Sequence, residues 1–459
     1  MNSLDKSLGM LAEEKKPVRI GLAGLGQMGR GLLSQIRGIR GMEIAAIADK
    51  DVEATLKTLK DQGIFAEDYT FIDSRVHSGA ACHTIEGIEL RVDCFSGDAR
   101  KKITGAYKEN ILVYSDSLAL LFEAEGIDVI IDATGSPEAG AYIALNALTS
   151  GKHLVTLNVE MDVTIGPFLR DLSQKQGIVY TLSAGDEPPA AKELYDFAHI
   201  IGMDIVAAGK GKNNPLEREA NPHSLAGYAQ EKGSNPYMMT CFVDGTKSMV
   251  EMACLSNATG LVPDCRGMHE VRANKDQLLD IIKPKSQGGI LDKTGVVEFV
   301  IGDLAPGVFL IYTTKNDIIR EELKYLLMGD GPNYLIYRPY HLTSLETPIS
   351  VARAFLDKEP TMVPEGDLVS EVVTVAKKDL RAGEKIDRIG GYTVYGLIDT
   401  FKAARDEELL PIGLCEGALL KSAIEKDRPI TYNDVDLSGD SLIYRIRKLQ
   451  DKRSNNNKY

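Results

Sequence analysis

Six cysteines are all that the 459 residues carry, and no two of them stand as a CxxC pair. Cys82, Cys94, Cys241, Cys254, Cys265 and Cys415 show no zinc-ligand spacing and read as reduced thiols of a cytoplasmic protein. The seven histidines (His77, His83, His153, His199, His223, His269 and His341) likewise form no metal-ligand pattern. Positive charge is short: 53 Lys and Arg face 66 Asp and Glu, a net charge of −13. That balance argues against nucleic acid or an anionic membrane as partner. Long apolar runs are missing too. The N-terminal MNSLDKSLGMLAEEKK has no sustained apolar core and is not expected to be a signal peptide. The most apolar later segment, 296–312, holds Glu298, Asp303 and Pro306 and cannot span a bilayer. The polar tail 451–459 (DKRSNNNKY) is expected to be disordered.

What is present is an ordinary globular balance, 44% hydrophobic and 26% charged, in a chain long enough for two or three domains. Its most informative stretch is Gly21-Leu-Ala-Gly24-Leu-Gly26-Gln-Met-Gly29. An apolar strand leads in, a helical pattern with Met28, Leu32, Leu33 and Ile36 follows, and a second strand ends at Asp49. This is the full dinucleotide-binding fingerprint. Gly24 permits the tight turn, Gly26 the approach of a pyrophosphate, and Gly29 close helix–strand packing. Leu25, Gln27 and Met28 complete the loop whose free N–H groups meet the phosphates. Asp49 suits a ribose 2′-hydroxyl and favours NAD; Arg30 and Lys50 suit a 2′-phosphate and favour NADP. Both cofactors stay open.

Alternating strands and helices continue to about residue 210, as expected of a doubly wound parallel sheet with ligands at its carboxyl edge. The region 63–108 reads as an insertion. Regular order resumes with the apolar strand 127–133. There Thr134 and Gly135 precede a helix capped by Ser136, and the strand after that helix runs toward Asn158; these three residues join the expected cofactor contacts. Four parts follow: a Rossmann domain over 1–163, with a helix over 343–356 able to pack back on it; a central α+β catalytic and dimerisation domain over 164–365; a small β-rich domain over 366–450; and the tail.

Two clusters carry candidate chemistry. A strand over 203–208 delivers the loop Gly209-Lys-Gly-Lys-Asn-Asn214. Lys210 and Lys212 share a face if the strand period persists, and with Asn213 and Asn214 they suit the phosphate or carboxylate of a small substrate. His223, just beyond, is a further substrate candidate. The second cluster is Asp244-Gly-Thr-Lys247-Ser-Met-Val-Glu251, where Asp244 is expected to cap a helix. Lys247 there is the candidate proton donor to a carbonyl oxygen, oriented by Asp244 and Glu251. A solvent-facing Lys–Glu pair is the plainer alternative. His341, in Tyr337-Arg-Pro-Tyr-His341, fits a buried turn or a pocket wall. Asp186, Glu187, Asp244 and Glu251 offer oxygen ligands for a divalent metal, although no pattern demands one.

With these residues in place, roughly residues 17–260 resemble homoserine-dehydrogenase-type oxidoreductases. The resemblance rests on the fingerprint, on Gly151-Lys-His-Leu-Val-Thr-Leu-Asn158 and on Ser183-Ala-Gly185-Asp-Glu-Pro-Pro189. It implies a catalytic aspartate and lysine on a later helix, which Asp244 and Lys247 match at altered spacing. The lysine loop replaces that family's neutral hydroxyl residues, which points to a more anionic substrate. Asp379-Leu-Arg-Ala-Gly-Glu384 resembles the SAF β-clip fold. Together these features resemble the 1-deoxy-D-xylulose 5-phosphate reductoisomerase-like group. That resemblance implies an NADPH-dependent reductase or reductoisomerase of sugar-phosphate-like substrates, in isoprenoid precursor synthesis in its sharpest form, and a homodimer or higher oligomer. A true homoserine dehydrogenase, a sugar-acid or polyol dehydrogenase, and a non-catalytic nucleotide sensor are the rival expectations.

Overall fold

Short apolar runs bounded by glycine and polar turns build the first sheet. The computed structural model describes residues 3–456. Its strands are β1 (Val18–Ala23), β2 (Met42–Ala48), β3 (Tyr69–Ile72), β6 (Leu112–Ser115), β7 (Val129–Asp132), β8 (His153–Thr156) and β9 (Tyr180–Leu182). Between β3 and β6 lie β4 (His77–Ile85) and β5 (Ile88–Phe95), a separate antiparallel ribbon. The seven strands run in the order β3-β6-β2-β1-β7-β8-β9, and every pairing is parallel. Strand order reverses between β1 and β7, so a crevice opens beyond Ala23 and Asp132, as doubly wound sheets require at their switch point. The supposed insertion is in part integral to this sheet: β3 pairs with β6, and the helix Gly97–Lys108, capped by Ser96, packs beside them.

The second sheet is mixed. It contains β10 (Asp204–Lys212), β11 (Val262–Pro263), β12 (Val271–Arg272), β13 (Val296–Ile301), β14 (Val308–Thr313) and β15 (Asn333–Arg338). The expected lysine loop is strand instead, because β10 runs on through Lys212 between β13 and β14. Glycine misled the reading. A Cβ at Gly209 would stand 1.8 Å from the Glu298 carbonyl oxygen, and one at Gly211 would stand 2.3 Å from the Ala305 nitrogen. The glycines let neighbouring backbone close in on one face, while Lys210 and Lys212 project from the other, under the helix Thr246–Thr259.

The C-terminal region is stapled to both layers. β16 (Ser370–Ala376) and β17 (Val394–Thr400) form an antiparallel ribbon against the helix Thr246–Thr259. The segment 343–357 is a short 3₁₀ turn, a helix over Thr347–Ala352 and a π turn, and Val351 and Ala352 bury among Rossmann-sheet residues. Of the tail 451–459 expected to be disordered, residues 451–456 are helical, continuing the helix Leu442–Asn456, and 457–459 lie outside the described residues. Burial explains this. Arg447 is 2% exposed and pairs with buried Glu371, while Gln450 Oε1 accepts from the Phe168 amide at 3.0 Å. No helix among the described residues is long and apolar enough to cross a membrane.

Candidate active site

Where β1 ends, backbone geometry replaces side chains. Gly24 has φ +90, and a Cβ on Gly29 would stand 2.1 Å from the Gly24 carbonyl oxygen. Only glycine permits either. The helix Gln27–Arg37 starts at Gly26 with no side chain capping it, so its first N–H groups face outward. A cavity of about 560 Å³ opens there, lined by Gly26, Gln27, Met28 and Arg30 on one side and by Thr134 and Gly135 on the other. An uncapped helix end and a glycine cradle at a switch point fit a pyrophosphate.

The remaining cofactor candidates are placed differently. The Asp49 carboxylate accepts from the Leu25 amide at 2.6 Å and the Asp51 amide at 2.9 Å, so it holds the loop's shape from outside the cavity lining. Lys50 is exposed and away from that lining. Asn158 needs correction: it is 1% exposed and caps the helix Val159–Gln176. Its Nδ2 donates to the Ser136 carbonyl at 2.8 Å. Both ends of that amide are satisfied by backbone, so it steadies the Thr134–Ser136 turn from behind rather than touching a cofactor.

The opposite wall carries the charges. Lys247 lines the cavity, and its Nζ donates to Glu160 Oε1 at 3.1 Å. Burial works against its charge, but Glu160, Glu251 and Asp186 outweigh it and hold the ammonium well above the ordinary lysine range. Beneath it, carboxylate oxygens of Asp186, Glu187 and Glu251 lie within 4.8 Å of one another. Lys210 Nζ reaches into this trio, donating to Glu187 at 2.7 Å and contacting Glu251. Burial, then the neighbouring Glu187 and Glu251, push Asp186 well above the usual carboxylate range. Glu187 goes the other way: despite burial, Lys210 and His341 hold it ionised. His341 lies on the pocket wall, its Nδ1 donating to the Pro306 carbonyl at 2.7 Å and its Nε2 3.4 Å from Glu187.

Four expectations are overturned by this arrangement. Asp244 does not orient Lys247. It is fully buried, does not line the cavity, and takes Lys377 Nζ from the C-terminal region at 2.9 Å, with the Thr246 amide on its other oxygen. Lys210 cannot grip substrate, because two carboxylates already hold it. Lys212 is turned aside to the Phe242 carbonyl at 2.6 Å, and burial followed by the nearby Lys210 lowers it to about 8. His223 is exposed on a turn outside the lining. Asn213 and Asn214 border an adjoining cavity with Gln27 and Met28, and Asn214 Oδ1 accepts from the Tyr228 hydroxyl at 3.3 Å. Sequence reasoning missed Glu160 and Arg388 of the lining altogether. The only signal for Glu160 was its place in the first turn after Asn158; Arg388 gave none.

Two families match successive stretches of the chain. Residues 24–182 match the family described as homoserine dehydrogenase, NAD binding domain. Residues 185–347 match that described as oxidoreductase DRL, catalytic domain. No curated protein matches. Among solved structures, the chain is similar to a probable dehydrogenase from Thermotoga maritima at 11% identity, covering 76% of this chain and 90% of that one, with a TM-score of 0.38. It is also similar to 1-deoxy-D-xylulose 5-phosphate reductoisomerase from Zymomonas mobilis in complex with NADPH, at 12% identity, covering 75% and 82%, with a TM-score of 0.35. The family matches carry the reading: this chain is an NAD(P)-dependent oxidoreductase.

Proposed function

We propose that this oxidoreductase reduces a small, polyhydroxylated, anionic carbonyl compound of sugar-phosphate type, with Lys247 as the proton donor. One observation carries the reading: the Lys247–Glu160 pair and the glycine loop of the fingerprint line one cavity. The nicotinamide supplies the hydride when bound. Lys247 Nζ then gives its proton to the carbonyl oxygen as charge develops there. Glu160 and Glu251 keep that ammonium charged and aimed. The charged ammonium is the form that donates to a developing alkoxide, which is the role reduction of a carbonyl needs. Glu187 and Glu251 offer acceptor oxygens to substrate hydroxyls, with Lys210 balancing their charge from within. The segments 1–163, 164–365 and 366–450 serve as nucleotide-binding, catalytic and accessory parts of this enzyme.

The test is oxidation of NADPH and NADH against a panel of phosphorylated and unphosphorylated hydroxy-aldehydes and hydroxy-ketones. Turnover with at least one phosphorylated member is expected, and Lys247→Met lowers it at least about a hundredfold while the cofactor Kd is unchanged. Tight cofactor binding with no turnover across the panel, or full activity in Lys247→Met, overturns the proposal.

A further inference from the structure

With Lys210 and Lys212 engaged elsewhere, the cavity needs another cation to meet an anionic substrate. Away from the nucleotide loop, where Arg30 stands, the lining is mostly acidic, with Glu160, Asp186, Glu187 and Glu251 against Lys247 and His341. The C-terminal region reaches into that lining at two residues, Arg388 and Ile389. Arg388 is exposed, and its side chain makes no ion pair or hydrogen bond with any described residue. Its guanidinium lies over the Tyr237 ring at 4.9 Å from the centroid. Such stacking orients the plane of an arginine and leaves its N–H donors free.

The turn that carries Arg388 is rigidly seated. Gly390 has φ +73, and a Cβ there would stand 2.2 Å from the Tyr237 carbonyl oxygen, so glycine alone allows the turn to press on the helix Pro236–Val243. Asp387 closes the turn, accepting from the amides of Tyr392 at 2.6 Å and Thr393 at 3.1 Å. Lys377 Nζ, which holds Asp244, also donates to the Gly391 carbonyl at 2.9 Å.

We infer that Arg388 is the specificity residue for the substrate's anionic end, binding a phosphate or carboxylate that the C-terminal region thereby selects. This deepens the function proposed above and rests on it for the substrate's place in the cavity. Gly26–Met28 and Thr134–Gly135 of the Rossmann part line the end of the cavity suited to the cofactor's own phosphates. Arg388 instead rests on the helix that leads through Asp244 and Gly245 into the Lys247 helix, which is the substrate's side.

Inorganic phosphate is the probe, titrated by calorimetry into wild type and Arg388→Gln, each saturated with NADPH. Phosphate binding at least tenfold weaker in the variant is expected, with the NADPH Kd within twofold and the thermal midpoint unchanged. Tyr237→Leu, which keeps the charge but removes its platform, gives a smaller loss. Equal phosphate affinity in wild type and Arg388→Gln overturns the inference. So does a tenfold rise in the NADPH Kd, which assigns the arginine to the cofactor. Both readouts are independent of turnover. Failure of the enzymatic reading appears separately, as an inert substrate panel in a protein that still binds phosphate through Arg388.

Discussion

Asp244 and Lys247 stand three residues apart, and the fold sends one into a buried clamp and the other to the cavity wall. The turn between them is the cause. Gly245, with φ +85, ends one helix and begins the next, so residues on either side no longer share a face. Asp244 meets Lys377, whose ammonium also satisfies the carbonyls of Ala220 and Gly391. All the donors and acceptors of that pair are matched, and nothing is left to react. The ammonium of Lys247 has one hydrogen-bonded carboxylate, Glu160, and open space beside it. A satisfied buried pair is architecture; a partly satisfied one at a cavity is a reagent.

The contrast breaks most sharply in kinetics. Lys247→Met is expected to lower kcat by about 10²–10⁴-fold, with the thermal midpoint nearly unchanged; a collapse in stability with kcat intact would reverse the assignment. Asp244→Ala is expected to do the opposite. It strands the Lys377 ammonium in the interior, costing about 4 kcal/mol in chemical denaturation, while the folded fraction turns over normally.

A third carboxylate sharpens the comparison because no cation pairs with it among the described residues. Asp162 is fully buried and accepts from the Tyr180 hydroxyl at 2.7 Å, and its Oδ2 has no hydrogen bond among the described residues. Burial raises it to about 6 from 3.8. A raised carboxyl stabilises the fold below its unfolded value, and that contribution is lost as pH climbs through its folded value. Stability of wild type relative to Asp162→Asn should therefore fall by up to about 3 kcal/mol between pH 4 and pH 7, read from paired denaturation curves. A flat difference would show that the group stays ionised. The smallest effect concerns positioning. Glu160→Gln should lower kcat about tenfold and move the alkaline limb of its pH profile to lower pH, because the ammonium loses a charge that stabilises it. An unmoved limb would leave Glu160 a purely structural neighbour.

The first sheet was legible because its signals are local. A strand's apolar run, the glycines at 24, 26 and 29, and the Ser136 cap each act within one turn of chain. The second sheet was harder for the same reason: Gly209 and Gly211 read as loop, yet distant backbone of β13 and of the segment before β14 fills the space they leave. The cavity's lysine and Glu251 were readable as residue types suited to proton transfer. Their partners were not, since Lys247 meets Glu160 across 87 residues of chain and Asp244 meets Lys377 across 133.

From sequence alone came the nucleotide loop, the alternating architecture and a short set of lysines and carboxylates able to handle a proton. Tertiary structure alone decided which lysine faces the cavity, which are consumed by internal carboxylates or carbonyls, and that Arg388 arrives there from the far end of the chain. The reason is physical. Backbone conformation is set by neighbours a few residues away, whereas a charged group's role depends on who shares its low-dielectric surroundings, and burial assembles that company from everywhere in the chain.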